Sequence, residues 1–404
     1  MTPRERVVAS LNFQETDRAP RDLGAMRSTG ISAFAYPKLV AALGLPPRLP
    51  RVHDTGQMLA LPDIDVLDAL GCDVLTIDGG VTDAFPEPEK WHDFDFGGRL
   101  PAQVLNPAAF QVQPDGSILQ GGSVMPPSSY VFNADHSGQP LLGLDDELPL
   151  MDLKKWKQDL ASWQLTDERA NQTVDLVRRV KESSDKAIFL ADHCGAGIGI
   201  GGFNGIGIFP IICKLEPDYV QELHEITIQH AIRNVQLLLP KLEGMVDVIM
   251  TTADDWGTQN ACIASPKTYE KLFLPYYRRL NDEIHRLLPD VKIFMHNCGA
   301  IYDLLDLIID SGFDIVNPCQ WPAGKHGYKD WKDRVRGRAS FWGGGVNTQH
   351  TLPHESADVV AREVEEVVAY MRKDGGYVFN NIHNLLAEVS PEKVIAMYAA
   401  AGRA

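Results

Sequence analysis

Residues Val291–Gly299 read VKIFMHNCG, an apolar run that ends in two side chains able to bind a metal ion. The apolar and β-branched residues up to Met295 predict a buried strand, with His296 and Cys298 at its carboxyl end. Residues two apart on an extended backbone point to the same side, so we expect the imidazole and the thiol to converge. A buried thiol beside a hydrogen-bonded histidine would leave the same pattern, so this triplet alone does not decide between the two.

Strands and helices alternate on both sides of this central strand. The predicted strands lie near Asp22, then at Cys72–Ile77, Ala187–Leu190, Val246–Thr252, Val291–Met295, Phe313–Asn317, Ser340–Gly344 and Gly376–Asn380. The predicted helices that alternate with the later strands are Asp167–Ser184, Pro217–Leu239, Pro266–Leu288, Ala300–Asp310, Ser356–Lys373 and Pro391–Ala400. About eight strand–helix units predict an α/β protein that closes as a parallel (β/α)8 TIM barrel.

Two additions to the barrel are predicted. The sequence Thr2-Pro3-Arg4-Glu5 is a capping box with proline at the first helical position, so an N-terminal helix begins the chain. Residues 84–150 are rich in proline and glycine between short alternating runs, which predicts β-hairpins and loops that form a cap or a subunit contact. We therefore expect one domain over residues 1–404, with the hairpins as an insertion.

Length and charge limit the class of protein. The 404 residues suffice for a large hydrophobic core, and the net charge of −16 argues against a nucleic-acid or anionic-membrane partner. No run of about 18 apolar residues and no basic-then-apolar leader is present, so a cytoplasmic location is the default expectation. Six cysteines scattered through so long a chain are typical of reduced thiols.

Polar side chains follow the predicted strands one after another. They are Asp192-His193-Cys194, Asp254-Asp255-Trp256-Gly257-Thr258-Gln259, His296 and Cys298, Asn317, Cys319 and Gln320, Trp342 to Asn347, and Asn380 with His383. In a parallel barrel these carboxyl ends lie on one face, where active sites form. The sequence therefore predicts a catalytic site there, with Asp254 or Asp255 as acid, base or metal ligand, and with weaker metal candidates at His193, Cys194 and Cys319.

Two other patterns near the predicted site are less specific. The glycine-rich stretch Gly195–Gly207 lacks the acidic partner of a dinucleotide fingerprint and the Gly-Lys-Ser/Thr of a phosphate loop, so a mobile active-site loop is the better interpretation. The tryptophans Trp256, Trp321 and Trp342 near the barrel mouth would suit a flat organic substrate, although packing alone would also explain them.

Together these motifs resemble one known superfamily. The matching stretches are Arg4–Val7, Asp17–Pro20, Asp254–Gln259, His296–Gly299, Phe341–Gln349, and Gly375–Asn380 leading to His383 and Asn384. They resemble the uroporphyrinogen decarboxylase superfamily, in its branch of cobalamin-dependent methyltransferases. The resemblance runs over most of the chain, and it implies a TIM barrel and an enzyme.

The resemblance also implies a zinc site. The methyltransferases carry His-x-Cys and a later cysteine that bind zinc, and His296 and Cys298 match the first two ligands. No cysteine stands at the third position, where His383 is the nearest ligand. The arginine-rich motif of the decarboxylases is absent, because this region reads RDLGAMR over Arg21–Arg27.

Replacing a thiolate by imidazole or carboxylate leaves a harder zinc ion, which suits an oxygen leaving group. We therefore expect zinc on His296 and Cys298, completed by His383, Asp254 or Asp255, to bind a methyl ether oxygen. The corrinoid of a partner protein would accept the methyl group, and Asp255 or His383 would donate a proton when it is not a ligand. The substrate-binding candidates are Trp256, Gln259, Trp342, Asn347 and Asn380.

Other functions stay open at this point. A thiol acceptor would replace the ether, and a metal-free decarboxylase would use Asp254, Asp255 and His383 with basic residues such as Arg21 and Arg27 at the mouth. A barrel that only binds a corrinoid or a regulatory ligand is the non-enzyme alternative. The hairpin region would suit the contact of a homodimer.

Overall fold

A computed structural model describes residues 1–132, 147–200 and 205–404 of the chain. The α-helices are α1 Pro3–Leu11, α2 Tyr36–Ala42, α3 Ile64–Leu70, α4 Leu153–Ser162, α5 Asp167–Ser183, α6 Gly205–Leu215, α7 Pro217–Leu238, α8 Pro266–Leu272, α9 Leu274–Leu287, α10 Leu305–Asp310, α11 Tyr328–Val335, α12 Thr351–His354, α13 Ala357–Met371 and α14 Pro391–Arg403. Short 3-10 helices lie at Arg27–Thr29, Pro88–Lys90, Pro107–Ala109, Leu239–Lys241 and Tyr302–Leu304.

The strands of the described residues divide into three sheets. They are β1 Ile31–Ser32, β2 Arg51–Asp54, β3 Leu59–Leu61, β4 Val74–Asp78, β5 Val81–Thr82, β6 His92–Asp95, β7 Pro101–Val104, β8 Phe110–Val112, β9 Ile118–Gln120, β10 Ser123–Met125, β11 Ala187–Leu190, β12 Val248–Asp254, β13 Lys292–Asn297, β14 Ile315–Asn317, β15 Ser340–Trp342 and β16 Tyr377–Val378. The largest sheet has the order β16-β15-β14-β13-β12-β11-β4-β5. All its neighbouring pairs are parallel except β4 and β5.

An extended segment at residues 20–22 closes this sheet into a barrel. On one side, the Phe379 amide donates to the Pro20 carbonyl at 2.7 Å and the Asp22 amide donates to the Phe379 carbonyl at 3.0 Å. On the other side, the Asp73 amide donates to the Arg21 carbonyl at 2.7 Å. Together with β4 and β11 to β16, the segment completes eight parallel strands, so the predicted (β/α)8 barrel is confirmed.

Apolar side chains fill the barrel, and the N-terminal helix covers its lower end. Phe189, Phe294 and Trp342 pack together inside, with ring centroids 5.0 to 5.8 Å apart. Val7 and Leu11 of α1 belong to the same buried cluster. The capping box predicted for this helix is present, since the Glu5 amide donates to Thr2 Oγ1 at 3.2 Å and the Thr2 amide donates to the Glu5 carboxylate at 2.9 Å. A helix that blocks the lower end leaves the carboxyl ends of the strands as the open face.

The insertion forms hairpins in its described part, as predicted. Strands β6 and β7 pair antiparallel, and β8, β9 and β10 form a three-stranded meander. Strand β7 also pairs parallel with β2, which joins the insertion to the sheet of β1, β2 and β3. The last part of the predicted insertion, residues 133–146, lies outside the described residues.

Some predicted elements differ from the structure. The helix predicted over Pro266–Leu288 is two helices that meet at Phe273, because Pro275 has no backbone N–H to donate to the carbonyl four residues earlier and its ring clashes with that carbonyl. Helix α6 begins at Gly205 inside the predicted glycine-rich loop, and the sequence analysis missed α11. Among the described helices, none is long and apolar enough to cross a bilayer.

Candidate metal centre

Three nitrogen and sulfur ligands meet at the carboxyl end of β13. One ligand atom each from His296, Cys298 and His383 lies within 4.8 Å of the others. The Nε2 atom of His296 is 3.1 Å from the Sγ atom of Cys298, so the two side chains of the His-x-Cys motif converge as their spacing predicts. His383 comes from the loop after β16, and its ring centroid is 5.6 Å from that of His296.

The orientation of His296 leaves the right nitrogen available for a metal. Its Nδ1 atom lies 2.6 Å from Asn317 Oδ1, and the Nδ2 atom of the same amide donates to the Trp342 carbonyl at 2.7 Å. Because the amide NH2 is used by that carbonyl, Asn317 presents its oxygen to the imidazole, and Nδ1 must carry the proton. The lone pair is therefore on Nε2, the atom that faces Cys298. An oxygen that accepts a hydrogen bond from the other ring nitrogen is typical of metal-bound histidines.

His383 is held in an unusual backbone conformation. Its φ is 61°, a left-handed value that residues with side chains seldom adopt, and the Asn381 side chain donates to its carbonyl. Burial and the neighbouring His296 lower the pKa of His383 to about 4, while Asp255 opposes them. The imidazole is therefore neutral at pH 7, which is the form that binds a metal.

Two glycines fix the turn that carries Cys298. Gly299 has a φ of 89°, and a Cβ built on it would lie 2.2 Å from the backbone of Gly257. The Gly257 amide donates to the Cys298 carbonyl at 3.0 Å. Burial is the main reason that the pKa of the Cys298 thiol is raised well above its usual value, and a bound cation would reverse this by stabilising the thiolate.

A β-bulge in β12 decides which aspartate reaches this site. Met250 pairs with Phe294, but the next pairs are Thr252 with Met295 and Ala253 with His296, so one residue of β12 is extra. Without the bulge, residues 250, 252 and 254 would all face the barrel interior. With it, Asp254 shares the outward register of Thr252, and Asp255 follows in the inward register.

The outward-facing Asp254 is a buried structural centre. Its carboxylate accepts hydrogen bonds from Tyr277 Oη at 2.6 Å, Trp256 Nε1 at 2.7 Å and the Ile200 amide. Only 2% of the residue is exposed, and burial raises the pKa of its carboxyl to about 7 against these hydrogen bonds. Gly199 lies directly against the carboxylate, where a Cβ would meet Oδ1 at 2.2 Å. The lack of a side chain at Gly199 therefore allows the backbone to lie directly against the Asp254 carboxylate.

Asp255 lies beside the metal ligands and reaches solvent. Its Oδ1 atom accepts a hydrogen bond from the Cys298 amide at 3.2 Å and lies 3.8 Å from His296 Nε2. The side chain is 46% exposed. Asp255 is thus the aspartate of the pair that can exchange protons with solvent next to the candidate metal centre.

Two of the predicted substrate residues, Trp256 and Trp342, lie in the packed interior. Trp256 and Trp342 are fully buried, the first packed on Tyr269 and Phe273, the second inside the barrel with its Nε1 donating to Asp22 Oδ2 at 2.8 Å. Buried rings of this kind serve packing, the alternative that the sequence had left open for the tryptophans.

The three predicted amide residues differ in their surroundings. Gln259 is exposed and pairs with Gln349 through both amides at 2.7 and 2.8 Å. Asn347 Oδ1 accepts the amides of Gln349 and His350, which caps the turn before α12. Asn380 is buried, and its Nδ2 donates to the Asp22 and Thr29 carbonyls, while its Oδ1 has no hydrogen-bond partner in the described part of the chain.

Other strand-end residues fall into two groups. Cys194 and Cys319 are fully buried, and neither belongs to the three-ligand group. Asn317 and Gln320 support the site instead: Gln320 Oε1 accepts the Gly299 amide at 2.7 Å, and Asn317 orients His296. Both stood among the strand-end residues of the sequence, but their supporting roles depend on side-chain geometry that the sequence does not display.

The donor set fits a zinc ion. Tetrahedral zinc with bonds of about 2.0–2.3 Å separates its nitrogen and sulfur ligands by roughly 3.5 Å, and the 3.1 Å between His296 Nε2 and Cys298 Sγ is near that value. Two imidazoles and one cysteine sulfur are ligands that zinc prefers. Three protein ligands leave the fourth position of a tetrahedral ion for a substrate or water, as in catalytic zinc sites.

Comparison with known proteins assigns a family to part of the chain. Residues 208–404 match the family model described as Uroporphyrinogen decarboxylase (URO-D). This part of the chain is similar to the uroporphyrinogen decarboxylase family. The resemblance deduced from the sequence motifs is therefore confirmed at the level of the superfamily.

Curated relatives carry the same name over a shorter stretch. A uroporphyrinogen decarboxylase of Syntrophotalea carbinolica is 28% identical over 143 residues, which cover 34% of this chain and 36% of that protein. One from Geotalea daltonii is 28% identical over 144 residues, 36% of this chain and 38% of that protein. The chain thus spans just over a third of the length of these curated relatives, so their activity does not transfer with the similarity.

A solved structure covers the whole uroporphyrinogen decarboxylase-like chain. A methyltransferase from Methanosarcina mazei aligns with 100% of this chain and 99% of its own, with a TM-score of 0.54 and 15% sequence identity. At that identity the likeness concerns the fold, and it agrees with the barrel described above.

Proposed function

We propose that this protein is a zinc-dependent methyltransferase that moves a methyl group from a small methyl ether to the corrinoid of a partner protein. The observation that carries the proposal is the group formed by His296, Cys298 and His383, whose ligand atoms lie within 4.8 Å of one another. A decarboxylase that works without a metal has no need for a cysteine sulfur and two imidazoles whose ligand atoms converge. Superfamily membership supports an enzyme, and the methyltransferase neighbour supports a fold able to do this chemistry.

His296 Nε2, Cys298 Sγ and His383 would hold the zinc ion. When bound, zinc would supply a Lewis acid that withdraws charge from the oxygen of the leaving group. Asn317 keeps the His296 lone pair on Nε2 through its hydrogen bond to Nδ1. The imidazole in place of a further thiolate favours an oxygen over a thiol as the group that this centre activates.

Asp255 is the residue that we propose for proton transfer. It is anchored by the Cys298 amide 3.2 Å away, and its exposed side chain can take protons from solvent. A proton held at this carboxyl would neutralise the oxygen that loses its methyl group, and general acids of this kind contribute about 10²- to 10⁴-fold. Asp254 is excluded from that role in our proposal, because three hydrogen bonds already occupy its carboxylate.

The floor of the mouth suits a small organic molecule. Ala191 and Met250 pack on the apolar interior cluster and remain partly exposed, and Ala253 beside His296 is exposed. Small and flexible apolar side chains next to polar ligands are common in sites that bind organic substrates. We infer a methylated organic substrate above these residues.

Methyl transfer to free cob(I)alamin tests the proposal. The zinc-loaded protein is mixed with cob(I)alamin and a panel of methyl ethers and methyl thioethers, and the absorbance of methylcob(III)alamin is recorded. We expect methylation from at least one ether, loss of it in His296→Ala, and little effect of Arg362→Gln, a surface change on α13. Thiol methylation from methylcob(III)alamin with no ether turnover would contradict the ether part of the proposal.

The decarboxylase alternative receives less support from the mouth. Its two basic candidates are already engaged by other groups: the half-buried Arg21 donates to the Tyr398 carbonyl at 3.0 Å, and Arg27 is paired with Asp78 at 2.8 Å. A decarboxylase that binds several carboxylates needs unpaired cations around its substrate. Turnover of a carboxylated substrate by metal-free protein would favour that alternative over ours.

A further inference from the structure

A second cavity opens beside the barrel mouth. It has a volume of about 630 Å³ and lies between the residues that follow β4 and β11 and the exposed face of α5. Its walls, which define the α5 cavity, are formed by Gly79, Gly80, Lys90, Arg169, Gln172, Thr173, Asp175, Leu176, Arg179, Asp192 and His193. This volume is in the range of pockets that bind small molecules, about 300–1,000 Å³.

The acidic groups around the α5 cavity already have partners. Asp192 accepts the amides of Gly79 at 2.6 Å and Gly80 at 2.9 Å, and Asp175 pairs with Arg178 at 2.7 Å. The buried Glu87 beneath the wall lies 2.9 Å from Lys90 Nζ and 3.7 Å from Arg179. The carboxylates therefore do not need a further cation from a ligand.

The basic groups are in excess. Four cations, Lys90, Arg169, Arg178 and Arg179, stand against three carboxylates, Glu87, Asp175 and Asp192, which leaves one positive charge. The backbone of Arg169 is hydrogen-bonded within α5, but its guanidinium makes no hydrogen bond or ion pair with another described residue, and neither does the side chain of Gln172. In a chain of net charge −16, this local excess marks a place for a single negative charge.

His193 adds a second, independent feature. Its φ of 64° is a left-handed conformation that costs of order 1 kcal/mol or more for a residue with a side chain. The half-buried imidazole lines the cavity and has no hydrogen-bond partner within the described ranges. Burial lowers the pKa of His193 below its usual value, so the neutral ring can both donate and accept.

The backbone opposite these side chains is uncovered. Gly79 and Gly80 have φ values of 62° and 73°, and a Cβ built on either would meet nothing within 4 Å. A ligand can therefore approach the chain directly at this point, where the cavity adjoins the barrel mouth.

We propose that the α5 cavity binds a small organic carboxylate, with Arg169 as the ion-pair partner and His193 as a hydrogen-bond partner. A guanidinium matches a carboxylate with two parallel hydrogen bonds. One surplus positive charge fits a singly charged carboxylate better than a phosphate ester, which carries about −1.5 to −2 at pH 7. The carboxylate belongs either to the substrate itself or to a separate effector, and this site does not require the metal centre.

Binding of benzoate to the full chain tests the proposal. Calorimetric titrations at pH 7 and constant ionic strength compare benzoate with inorganic phosphate and with the neutral analogue benzamide. The variants are Arg169→Gln in the cavity, Arg362→Gln as an exposed arginine that also lacks partners among the described residues, and His296→Ala at the metal centre. Benzamide keeps the ring of benzoate without its charge, and phosphate is an anion without a ring. The comparison therefore distinguishes recognition of the charge from recognition of the ring.

We expect one benzoate per chain, with phosphate and benzamide at least tenfold weaker. Arg169→Gln should weaken benzoate binding at least tenfold, and the other two variants should change it less than twofold. Competitive inhibition of methyl transfer by benzoate would identify the substrate's own carboxylate, and inhibition or activation without competition would identify an effector. No saturable binding, equal binding in Arg169→Gln, equal binding of phosphate, or loss in His296→Ala would overturn the proposal.

Discussion

The ends of two neighbouring strands, β12 and β13, carry similar polar signals in the sequence and use them differently. At β13 the alternation is regular, so His296 and Cys298 face the mouth together with His383. At β12 the bulge between Met250 and Thr252 reverses the alternation, and Asp254 turns into the layer between sheet and helices. Both His296 and Asp254 are polar residues at the carboxyl end of a strand. His296 is a candidate metal ligand, whereas Asp254 is a buried hydrogen-bond acceptor between the sheet and the helices.

The register of a strand decides which face a strand-end residue points to, and therefore which role it can have. A shift by one residue moves a side chain from one face of a sheet to the other. Bulges occur often beside active sites, where they redirect a side chain. Here the bulge removes Asp254 from the mouth and delivers Asp255 to it, 3.8 Å from His296 Nε2.

The largest expected effect is on stability at the β12 end. Asp254→Ala should lower the free energy of unfolding by about 4 kcal/mol, since each of three buried donors left without a partner costs about 1–3 kcal/mol. Urea denaturation measures it, with Asp255→Ala as the matched control. A loss below 1 kcal/mol in Asp254→Ala, or equal losses in both variants, would contradict the contrast between the two aspartates.

The second expected effect is a slower methyl transfer when Asp255, beside the end of β13, is changed. Asp255→Asn should slow methyl transfer to cob(I)alamin by about 100-fold, because an amide cannot deliver a proton. Zinc content and unfolding free energy should remain at their wild-type values. A wild-type rate would remove Asp255 from the mechanism, and loss of zinc would make it a ligand instead.

The third expected effect is a loss of metal affinity when the hydrogen bond that orients His296 is removed. Asn317→Ala removes the oxygen that holds His296 Nδ1–H, and changes of this kind lower metal affinity by about 10- to 100-fold. Competition with a chromophoric chelator measures the affinity. Asn347→Ala serves as the control, because that amide caps a turn and makes no hydrogen bond to His296. Equal affinities in the two variants would show that Asn317 does not orient the ligand.

A gradual effect appears in the pH dependence of stability, and in any one pH unit it is smaller than the effects above. Burial raises the pKa of Asp254 to about 7, so the native state binds a proton that the unfolded carboxyl, near 3.8, has already released. The contribution of Asp254 is fully present below pH 3.8 and is lost as the pH rises through 7, by about 1 kcal/mol per pH unit. Relative to Asp254→Asn, wild-type stability should fall between pH 4 and 7 and then level off. A rising difference would mean that the carboxyl is stabilised as an anion.

Much of the fold could be predicted from local patterns. Strand Ala187–Leu190 has the predicted bounds, the β13 prediction from VKIFM is confirmed with a small shift, and the helix predicted from Ser356 is capped by that residue. These elements depend on periodicity and capping within the segment itself. The closing strand at residues 20–22 was expected near Asp22, although only its bonds to Phe379 and Asp73 make it a strand.

The site could be predicted only where the spacing of residues along a strand determines the direction of their side chains. Residues two apart on a regular strand share a face, which is why His296 and Cys298 were found together. The burial of Trp256 and Trp342 depends on distant partners such as Phe273 and Phe189, which no local pattern contains. His383 reaches the other two ligands with a left-handed backbone conformation, which the local sequence does not predict.

The most direct test of the proposed metal centre is the zinc content of the purified protein. Untagged protein prepared without chelator is analysed by inductively coupled plasma mass spectrometry, together with His296→Ala, Cys298→Ala and His383→Ala. We expect about one zinc per chain in the wild type and its loss in each variant, with Asp254→Asn retaining the metal. Absence of zinc from the wild type even after reconstitution, or its retention in all three variants, would contradict the metal centre.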